Sequence, residues 1–508
     1  MSENETELFH QNKKAAENGE EVAMYNLATS YYNGKGTEKN LVKAFHWYQK
    51  AAGKGYFDAM NNLAICYTDG EGTEKNLEKA FYWYQKSAEN GNQYGMNCLA
   101  KCYINGTGIE KNLEKAFYWY QKSAENGNQY GMNCLAKCYK NGEGTEKNLE
   151  KAFYWYQKAA EKGYIKAMNN LAKCYKNGEG TEKNLEKAFY WYQKAAEKGY
   201  NEAMNNLAIC YKNGEGTEKN LEKAFNWYQK AAVNGVVDAM VYLAMYYEYG
   251  LGTERNFIKA FYWYQEGAEN GSGFGISKLA MCYKNGTGTE KNLEKAFYWY
   301  QKEAEKGHFD AINNLAICYK NGEGTVKNLE KAFYWYQKAA GNGYIDAMNN
   351  LAICYKNGEG TEKNLEKAFY WYQKAAENGD GEAMEDLAMC YRYGKGTEKN
   401  LEKAFHLYQK AAEKGYIVAM ACLAGCYKHG TGTEKNLEKA FYWYQKEAEN
   451  GCQYGMIKLA MCYEDGKGTE KNLEKAFYWY QKGAENGSQF GMNNLAMCYE
   501  YGKGTERI

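Results

Sequence analysis

Residues 57–92 have the sequence FDAMNNLAICYTDGEGTEKNLEKAFYWYQKSAENGN, and variants of this 36-residue unit fill almost the whole chain. The second glycine of a Gly-x-Gly turn recurs every 36 residues, from Gly36 through Gly72 to Gly504, with no insertion or deletion. Self-similarity at a fixed period is typical of repeat architectures. The sequence therefore predicts about fourteen copies of one structural unit.

Each unit is expected to form two amphipathic helices. Apolar residues recur at helical spacing in the first helix, called helix A, and Gly70 ends it as a C-terminal cap. Asn76 is the expected N-cap of helix B, which runs from Leu77 to about Glu89. One such hairpin cannot cover its own apolar faces, so neighbouring units must stack. The expected core positions of this unit are Ala59, Met60, Leu63, Cys66, Tyr67, Ala80, Trp83, Tyr84, Ser87 and Ala88.

The pattern Ala-x-x-x-Leu-Ala-x-x-Tyr-x-x-Gly-x-Gly, followed by Lys-Ala-Phe-x-Trp-Tyr-Gln-Lys-Ala-Ala-x-x-Gly, closely resembles the Sel-one-like repeat (SLR), a relative of the tetratricopeptide repeat. The resemblance covers essentially the whole chain. It implies an all-α, right-handed α/α superhelical solenoid of about fourteen 36-residue two-helix repeats, whose A helices line a concave groove. It also implies scaffold or adaptor roles. Two positions depart from the family pattern: Ala64, where relatives often have glycine, and Asn76, where they often have aspartate.

The pattern divides the chain into three parts. Residues 1–19 are interpreted as a degenerate N-terminal half-repeat, because the stretch from Leu8 to Gln11 aligns with the helix B core but has Gln11 in place of the tryptophan. A polar end of this kind is expected to cap the stack. Residues 20–504 form the tandem SLR array, and residues 505–508 are interpreted as the truncated start of a further repeat.

Composition narrows the possible partners and compartment. Lys and Arg total 64 against 63 for Asp and Glu, so no net positive field favours nucleic acid. The polar, acidic N-terminus has no secretory signal pattern, and no apolar run is long enough to span a membrane. We therefore expect a cytoplasmic protein that binds other proteins, without nucleic acid and without membrane insertion.

The cysteines are expected to be reduced core residues. Twelve of the 16 fall at the position of Cys66, one per unit, and packed helices lie about 8–10 Å apart, beyond the ~7 Å limit for a disulfide. The i,i+4 pairs Cys98/Cys102, Cys134/Cys138 and Cys422/Cys426 supply two ligands each, whereas a zinc site normally needs four. The Gly-x-Gly turns lack the spacing of a phosphate-binding loop. No metal, cofactor or catalytic site is predicted, and the chain is not expected to be an enzyme.

Binding residues are sought on the side of helix A opposite its core, at the positions of Asp58, Asn61, Ile65 and Thr68, where the units differ from one another. An asparagine side chain both donates and accepts hydrogen bonds, so a series of them can bind a peptide backbone. The alternative is a polar residue merely copied by duplication. Nearby lysines make the early part of the groove basic, and Met or Ile replaces several of them later. The candidate peptide-binding residues are Asn61, Asn97, Asn133, Asn169, Asn205, Asn313, Asn349 and Asn493, with Lys101, Lys137, Lys173, Lys140, Lys176 and Lys212.

Three functions are compatible with these observations, and the second and third are considered only because the resemblance to SLR proteins implies them. The first is a protein–protein interaction scaffold or adaptor that binds an extended protein segment in the concave groove. The second is an adaptor of endoplasmic-reticulum-associated protein quality control, which would need a signal or membrane segment outside this chain. The third is a secreted cysteine-rich hydrolase, for which oxidised cysteines would be the distinguishing feature. The first requires no feature beyond the repeats and is preferred.

Overall fold

The computed structural model describes residues 3–504, and its regular secondary structure within that range is entirely α-helical. The chain divides into two compact units, one ending at Asn256 and the other beginning at Phe257. In the first unit the helices are α1 (Glu3–Glu17), α2 (Glu21–Asn33), α3 (Leu41–Gly53), α4 (Phe57–Asp69), α5 (Leu77–Glu89), α6 (Gln93–Asn105), α7 (Leu113–Glu125), α8 (Gln129–Asn141), α9 (Leu149–Glu161), α10 (Ile165–Asn177), α11 (Leu185–Glu197), α12 (Asn201–Asn213), α13 (Leu221–Val233) and α14 (Val237–Tyr249).

The second unit repeats the same alternation. Its helices are α15 (Phe257–Glu269), α16 (Gly273–Asn285), α17 (Leu293–Glu305), α18 (Phe309–Asn321), α19 (Leu329–Gly341), α20 (Ile345–Asn357), α21 (Leu365–Glu377), α22 (Gly381–Tyr393), α23 (Leu401–Glu413), α24 (Ile417–His429), α25 (Leu437–Glu449), α26 (Gln453–Asp465), α27 (Leu473–Glu485) and α28 (Gln489–Tyr501). Even-numbered helices are A helices and odd-numbered helices from α3 onward are B helices. Within each unit every helix packs against the helices that precede and follow it. The predicted all-α solenoid of two-helix repeats is confirmed.

The helix boundaries follow the expected capping residues. Helix α4 ends where Gly70 adopts the left-handed conformation, with φ of 78°, and its N–H donates to the Cys66 carbonyl at 2.9 Å. Helix α5 begins after Asn76, whose side-chain oxygen accepts a hydrogen bond from the Lys79 N–H at 2.9 Å. The predicted C-cap and N-cap are both confirmed, and departure of Asn76 from the family's aspartate leaves the capping bond intact.

The second glycine of each turn lies where two neighbouring repeats approach closely. Gly72 has φ of 74°, and a methyl group added to it would fall on the main-chain carbonyl of Leu41, at the start of helix α3 in the preceding repeat. Gly70 has a similar φ, yet a methyl group there would meet no atom closer than 3.5 Å. The first glycine therefore ends a helix, whereas the second permits close stacking of one repeat on the next.

The core is made of leucine and alanine with methionine, cysteine and buried tyrosines, for example Tyr67 and Tyr84. Leu63, Ala64 and Ala80 are fully buried, and Tyr84 is 8% exposed. Trp83, which the sequence placed in the core, is only half-buried. That expectation is wrong. Trp83 and Tyr84 are adjacent, so their side chains point about 100° apart around the helix, and the stacked repeats cover Tyr84 more completely than Trp83. The tryptophans therefore lie at the edge of the core.

Helix α1 packs on the first complete repeat. Phe9 is buried, and its ring centroid lies 5.3 Å from that of Tyr31 in an edge-to-face arrangement. The same contact recurs in later repeats, for example between Phe81 and Tyr103 at 5.4 Å. Leu8 is 57% exposed. Assignment of residues 1–19 as a cap stays a prediction, and residues 505–508 lie outside the described part of the chain.

Burial makes the repeated cysteines unreactive. Removal of the Cys66 thiol from water raises its pKa to about 12, with the carboxylates of Glu71 and Asp69 adding to the effect. Burial likewise raises the pKa of Cys174 to about 11, although Lys140 opposes the shift. The thiolate is the reactive form of cysteine, and at neutral pH only a very small fraction of these thiols is deprotonated.

We therefore expect alkylation of the native protein to be slow and ordered. With iodoacetamide at neutral pH and no reductant, the half-buried Cys98, Cys422, Cys452 and Cys462 should be modified before the buried cysteines. All 16 should react once the protein is denatured. A time course with peptide mass spectrometry measures both stages. Cysteines that react after denaturation only if a reductant is added would contradict the reduced state.

Candidate protein-binding surface

The variable side of the A helices forms one surface in each unit. We call it the A-face and define it by the second, sixth, ninth and twelfth residues of each A helix. In α4 these are Asp58, Asn62, Ile65 and Thr68, all half-buried. Exposure is greater in other repeats: Lys101 and Lys137 are exposed, and Met389 is 41% exposed. The A-face is therefore accessible where the repeats differ most.

The asparagine series lies beneath this surface. Seven of the eight predicted asparagines are buried, so the expectation that they project from the exposed side of helix A is wrong for those seven. The seven buried residues are Asn61, Asn97, Asn133, Asn169, Asn205, Asn313 and Asn349. Asn493, in α28, is exposed.

Five of the seven buried asparagines, all except Asn205 and Asn349, are hydrogen-bonded to an asparagine that lies in or caps the next A helix. Asn61 Nδ2 donates to Asn92 Oδ1 at 2.9 Å, and Asn92 in turn caps helix α6. In later repeats the direction reverses, and Asn170 Nδ2 donates to Asn133 Oδ1 at 3.0 Å. A helical wheel of one repeat omits the neighbour that covers this side. These side chains connect successive A helices, and their assignment as peptide contacts stays a proposal.

Three of the six predicted lysines also join neighbouring repeats. Lys140 Nζ lies 2.7 Å from Glu179 Oε2, and Lys176 Nζ lies 2.7 Å from Glu215 Oε2. Partial burial alone would raise the pKa of the Glu179 carboxyl, but hydrogen bonds from Lys140 and Asn177 outweigh burial and lower it. Lys173 pairs with Glu202 at 2.5 Å in the same way.

The other three predicted lysines make no ion pair with any described carboxylate. Lys101 is exposed, and its Nζ lies 4.9 Å from the centroid of the Tyr130 ring. Lys212 Nζ lies 4.9 Å from the Tyr242 ring centroid. Lys137 is exposed on the next A helix after Lys101. Within residues 3–256, Lys101 and Lys137 are therefore cations of the A-face that remain open to a partner.

The structure adds residues that the sequence analysis missed. Lys166, the second residue of α10, is exposed and lines a cavity of 340 Å³ together with Tyr164, Lys198 and Tyr200. The Tyr164 ring centroid lies 6.3 Å from that of Tyr130. The available signal was variation at the second residue of helix A, where the repeats carry Asp58, Tyr94, Tyr130, Lys166 and Glu202.

The A-face has a different chemistry in the second unit. The second residue of the A helix is Asp310, Asp346 and Glu382 in three successive repeats, and the ninth residue is Ile317, Ile353 and Met389. Two cavities lie here, with volumes of 570 and 460 Å³. The ninth position therefore changes from lysine in α6, α8 and α10 to apolar residues in α18, α20 and α22, and in these last three helices it is accompanied by an acidic second residue.

Neither a metal-binding cluster nor a helix that could span a membrane occurs among the described residues. Residues 3–504 contain no group of three or more histidine, cysteine, aspartate or glutamate side chains placed to hold a metal ion. Across the same range, none of the helices combines the length and apolar character needed to cross a membrane.

Comparison with known proteins identifies the repeats. A Sel1 repeat model matches fourteen consecutive segments, at residues 22–56, 57–92, 94–128, 130–164, 165–200, 201–236, 237–272, 275–308, 309–344, 345–380, 381–416, 417–452, 453–488 and 489–507. The crystal structure of c5321, a protective antigen present in uropathogenic Escherichia coli strains and displaying an SLR fold, is 31% identical over 83% of this chain and 90% of that chain, with a TM-score of 0.67.

A Sel1 repeat protein from Oxalobacter formigenes is 25% identical over 61% of this chain and 90% of that chain, with a TM-score of 0.51. No curated protein matches the chain significantly. The repeat model accounts for nearly every residue from Val22 to Arg507, and the resemblance inferred from the sequence motifs is confirmed. The chain belongs to the Sel1 repeat family.

Proposed function

We propose that this chain is a cytoplasmic, non-catalytic scaffold or adaptor that binds an extended segment of another protein across the A-face. Sel1 repeat solenoids are generally used for protein–protein interaction. Repeat stacks of this kind present extended surfaces that suit such segments. The balanced charge, 64 basic against 63 acidic residues, supports a protein partner over nucleic acid.

One observation carries the proposal: the A-face of the first unit presents lysines that the repeats themselves do not neutralise. Lys140, Lys173 and Lys176 are paired with glutamates of the following repeat. In contrast, Lys101, Lys137 and Lys166 are exposed and have no described carboxylate within 4.0 Å. Exposed tyrosine is favoured at protein interfaces, and Tyr94, on the same helix as Lys101, is 54% exposed. The partner segment should therefore carry acidic side chains.

In this proposal the asparagines act mainly by holding the A helices in register. Asn97 Nδ2 donates to Asn128 Oδ1 at 3.1 Å, which joins two of the helices that carry the lysines. Asn206 Nδ2 donates to Asn169 Oδ1 at 3.0 Å in the same manner. Loss of these bonds would shift the lysine spacing, an effect separate from any contact between the asparagines and the segment. Asn493 is the exposed member of the eight, and in this proposal it contacts the partner directly.

Removal of the three open lysines should weaken binding of an acidic segment. We expect Lys101→Ala/Lys137→Ala/Lys166→Ala to bind a fluorescein-labelled dodecapeptide of alternating Glu and Ser about tenfold more weakly, since exposed ion pairs contribute roughly 0.2–1 kcal/mol each. The affinity should also depend less on salt than that of the unmodified chain. Fluorescence anisotropy at two salt concentrations measures both effects.

The matched control is Lys111→Ala/Lys147→Ala/Lys183→Ala, which removes the same charge from exposed positions in the turns between helices. This control should bind the peptide nearly as well as the unmodified chain. Equal loss in both triple variants would mean that net charge, and not the A-face, attracts the peptide. Equal affinity of the first variant and the unmodified chain would remove the proposed site.

A further inference from the structure

The second unit contains an open cleft along four successive A helices, α18, α20, α22 and α24. Its two cavities, of 570 and 460 Å³, share Glu382 and Tyr416 in their walls and therefore adjoin each other. We call this feature the acidic cleft. Its volumes lie within the roughly 300–1,000 Å³ of cavities that hold ligands.

The walls combine carboxylates with apolar side chains. Asp346, Glu382 and Asp386 supply charge, while Ile353, Met389 and Val418 supply apolar surface. Val418 is 62% exposed and Met389 41% exposed, so the apolar part is open to a partner. Among the described residues that line the two cavities there is no lysine, arginine or histidine.

Several carboxylates of the cleft already have partners, and two remain open to a cation. Asp386 Oδ1 lies 3.0 Å from Lys356 Nζ, and Glu385 Oε1 accepts a hydrogen bond from the Ala419 N–H at 2.8 Å. Asp380 caps helix α22 by accepting from the Ala383 N–H. Asp346 and Glu382 are exposed, and no described lysine or arginine lies within 4.0 Å of them.

Acidic and apolar groups form two separate rows. The acids Asp346 and Glu382 are the second residues of α20 and α22, whereas Ile353 and Met389 are the ninth residues of the same helices. Seven residues correspond to about 10 Å along a helix. A segment that crosses successive A helices thus has an acidic row on one side and an apolar row on the other. In an extended segment, alternate side chains point to opposite sides.

We propose that the acidic cleft binds an extended segment of a partner protein in which lysine or arginine alternates with apolar side chains. The basic side chains lie against Asp346 and Glu382, and the apolar side chains lie against Ile353 and Met389. This site is distinct from the lysines of the first unit and takes a segment of opposite charge. It rests on the general proposal that the A-face binds extended segments, but not on the lysine site.

The test uses the full chain and a fluorescein-labelled nonapeptide in which Arg alternates with Leu. We expect Asp346→Asn/Glu382→Gln to bind it about threefold to tenfold more weakly and with a smaller salt dependence, because two exposed charge contacts are lost without a change of shape. The control is Glu366→Gln/Glu402→Gln, which removes two exposed carboxylates from the same helical position on α21 and α23. This control should bind like the unmodified chain.

A second variant tests the apolar row. Ile353→Gln/Met389→Gln should weaken binding by a similar factor while leaving the salt dependence unchanged. Circular dichroism confirms that each variant keeps its helices. The proposal is overturned if the carboxylate variant binds like its control, if a peptide with Glu in place of Arg binds as well, or if Ser in place of Leu has no effect.

Binding at the lysine site, formed by Lys101, Lys137 and Lys166, is tested separately from binding at the acidic cleft. The dodecapeptide of alternating Glu and Ser is measured on the same variants, and its affinity should be unaffected by Asp346→Asn/Glu382→Gln. Loss of basic-peptide binding with retained acidic-peptide binding in that variant supports the acidic cleft, whatever the result for Lys101, Lys137 and Lys166. Loss of both would mean damage beyond the cleft and would count against it.

Discussion

Replacement of Gly180 by alanine is expected to destabilise the first unit by about 2–5 kcal/mol. Gly180 has φ of 72°, a conformation that costs an alanine roughly 1–2 kcal/mol. Its added methyl group would also fall on the Leu149 carbonyl of the preceding repeat, where the obstacle is main chain and cannot rotate away. Overpacking of this kind typically adds about 1–3 kcal/mol, so stacking of α9 on the following turn should open.

Gly178→Ala provides the matched control. Gly178 has φ of 73°, but its methyl group would meet no atom closer than 3.5 Å. It should therefore cost only the conformational penalty of about 1–2 kcal/mol. Hydrogen exchange of helices α9 to α11 separates the two effects. Equal loss of protection in Gly178→Ala and Gly180→Ala would show that the second glycine has no role in stacking.

The period and the caps made the repeat predictable from sequence. A fixed spacing of Gly36, Gly72 and their equivalents defined the unit, while Gly70 and Asn76 marked where helices end and begin. These signals are local, because a cap depends on the residues within one turn of it. Sequence could not distinguish the roles of Gly70 and Gly72, since the Leu41 carbonyl that restricts Gly72 belongs to another repeat.

The same limitation affected the candidate site. Asn61 lies on the side of helix A opposite its own core, and a wheel drawn for one repeat leaves it exposed. In the structure it is 3% exposed because the following repeat covers it and supplies Asn92 as a hydrogen-bond partner. Lys101 and Lys137 are exposed, as the sequence predicted. They differ from Lys140 and Lys176 in that no described glutamate of the next repeat forms an ion pair with them. Side-chain pairing between repeats, as for Lys140 with Glu179, cannot be derived from the pattern of one unit.

Replacement of Leu171 by alanine is expected to cost about 2–5 kcal/mol and to open the stack locally. Leu171 is fully buried in α10, and removal of its side chain leaves a cavity that the tightly packed Ala172 and its neighbours cannot fill. The volume-conserving change Leu171→Ile should cost less than about 1.5 kcal/mol.

Because each repeat contacts only its neighbours, loss of hydrogen-exchange protection in Leu171→Ala should concentrate in α9, α10 and α11. Helices α2 to α5, several repeats away in the same unit, should keep their protection. Exchange measured peptide by peptide in the full chain tests this difference, with Leu171→Ile as the reference. Uniform loss of protection from α2 to α13 would mean that the unit unfolds as one cooperative body. In that case a change in one repeat would disturb the binding sites on all the others. Local opening, in contrast, would allow a partner to act on one part of the A-face while the remaining repeats stay folded.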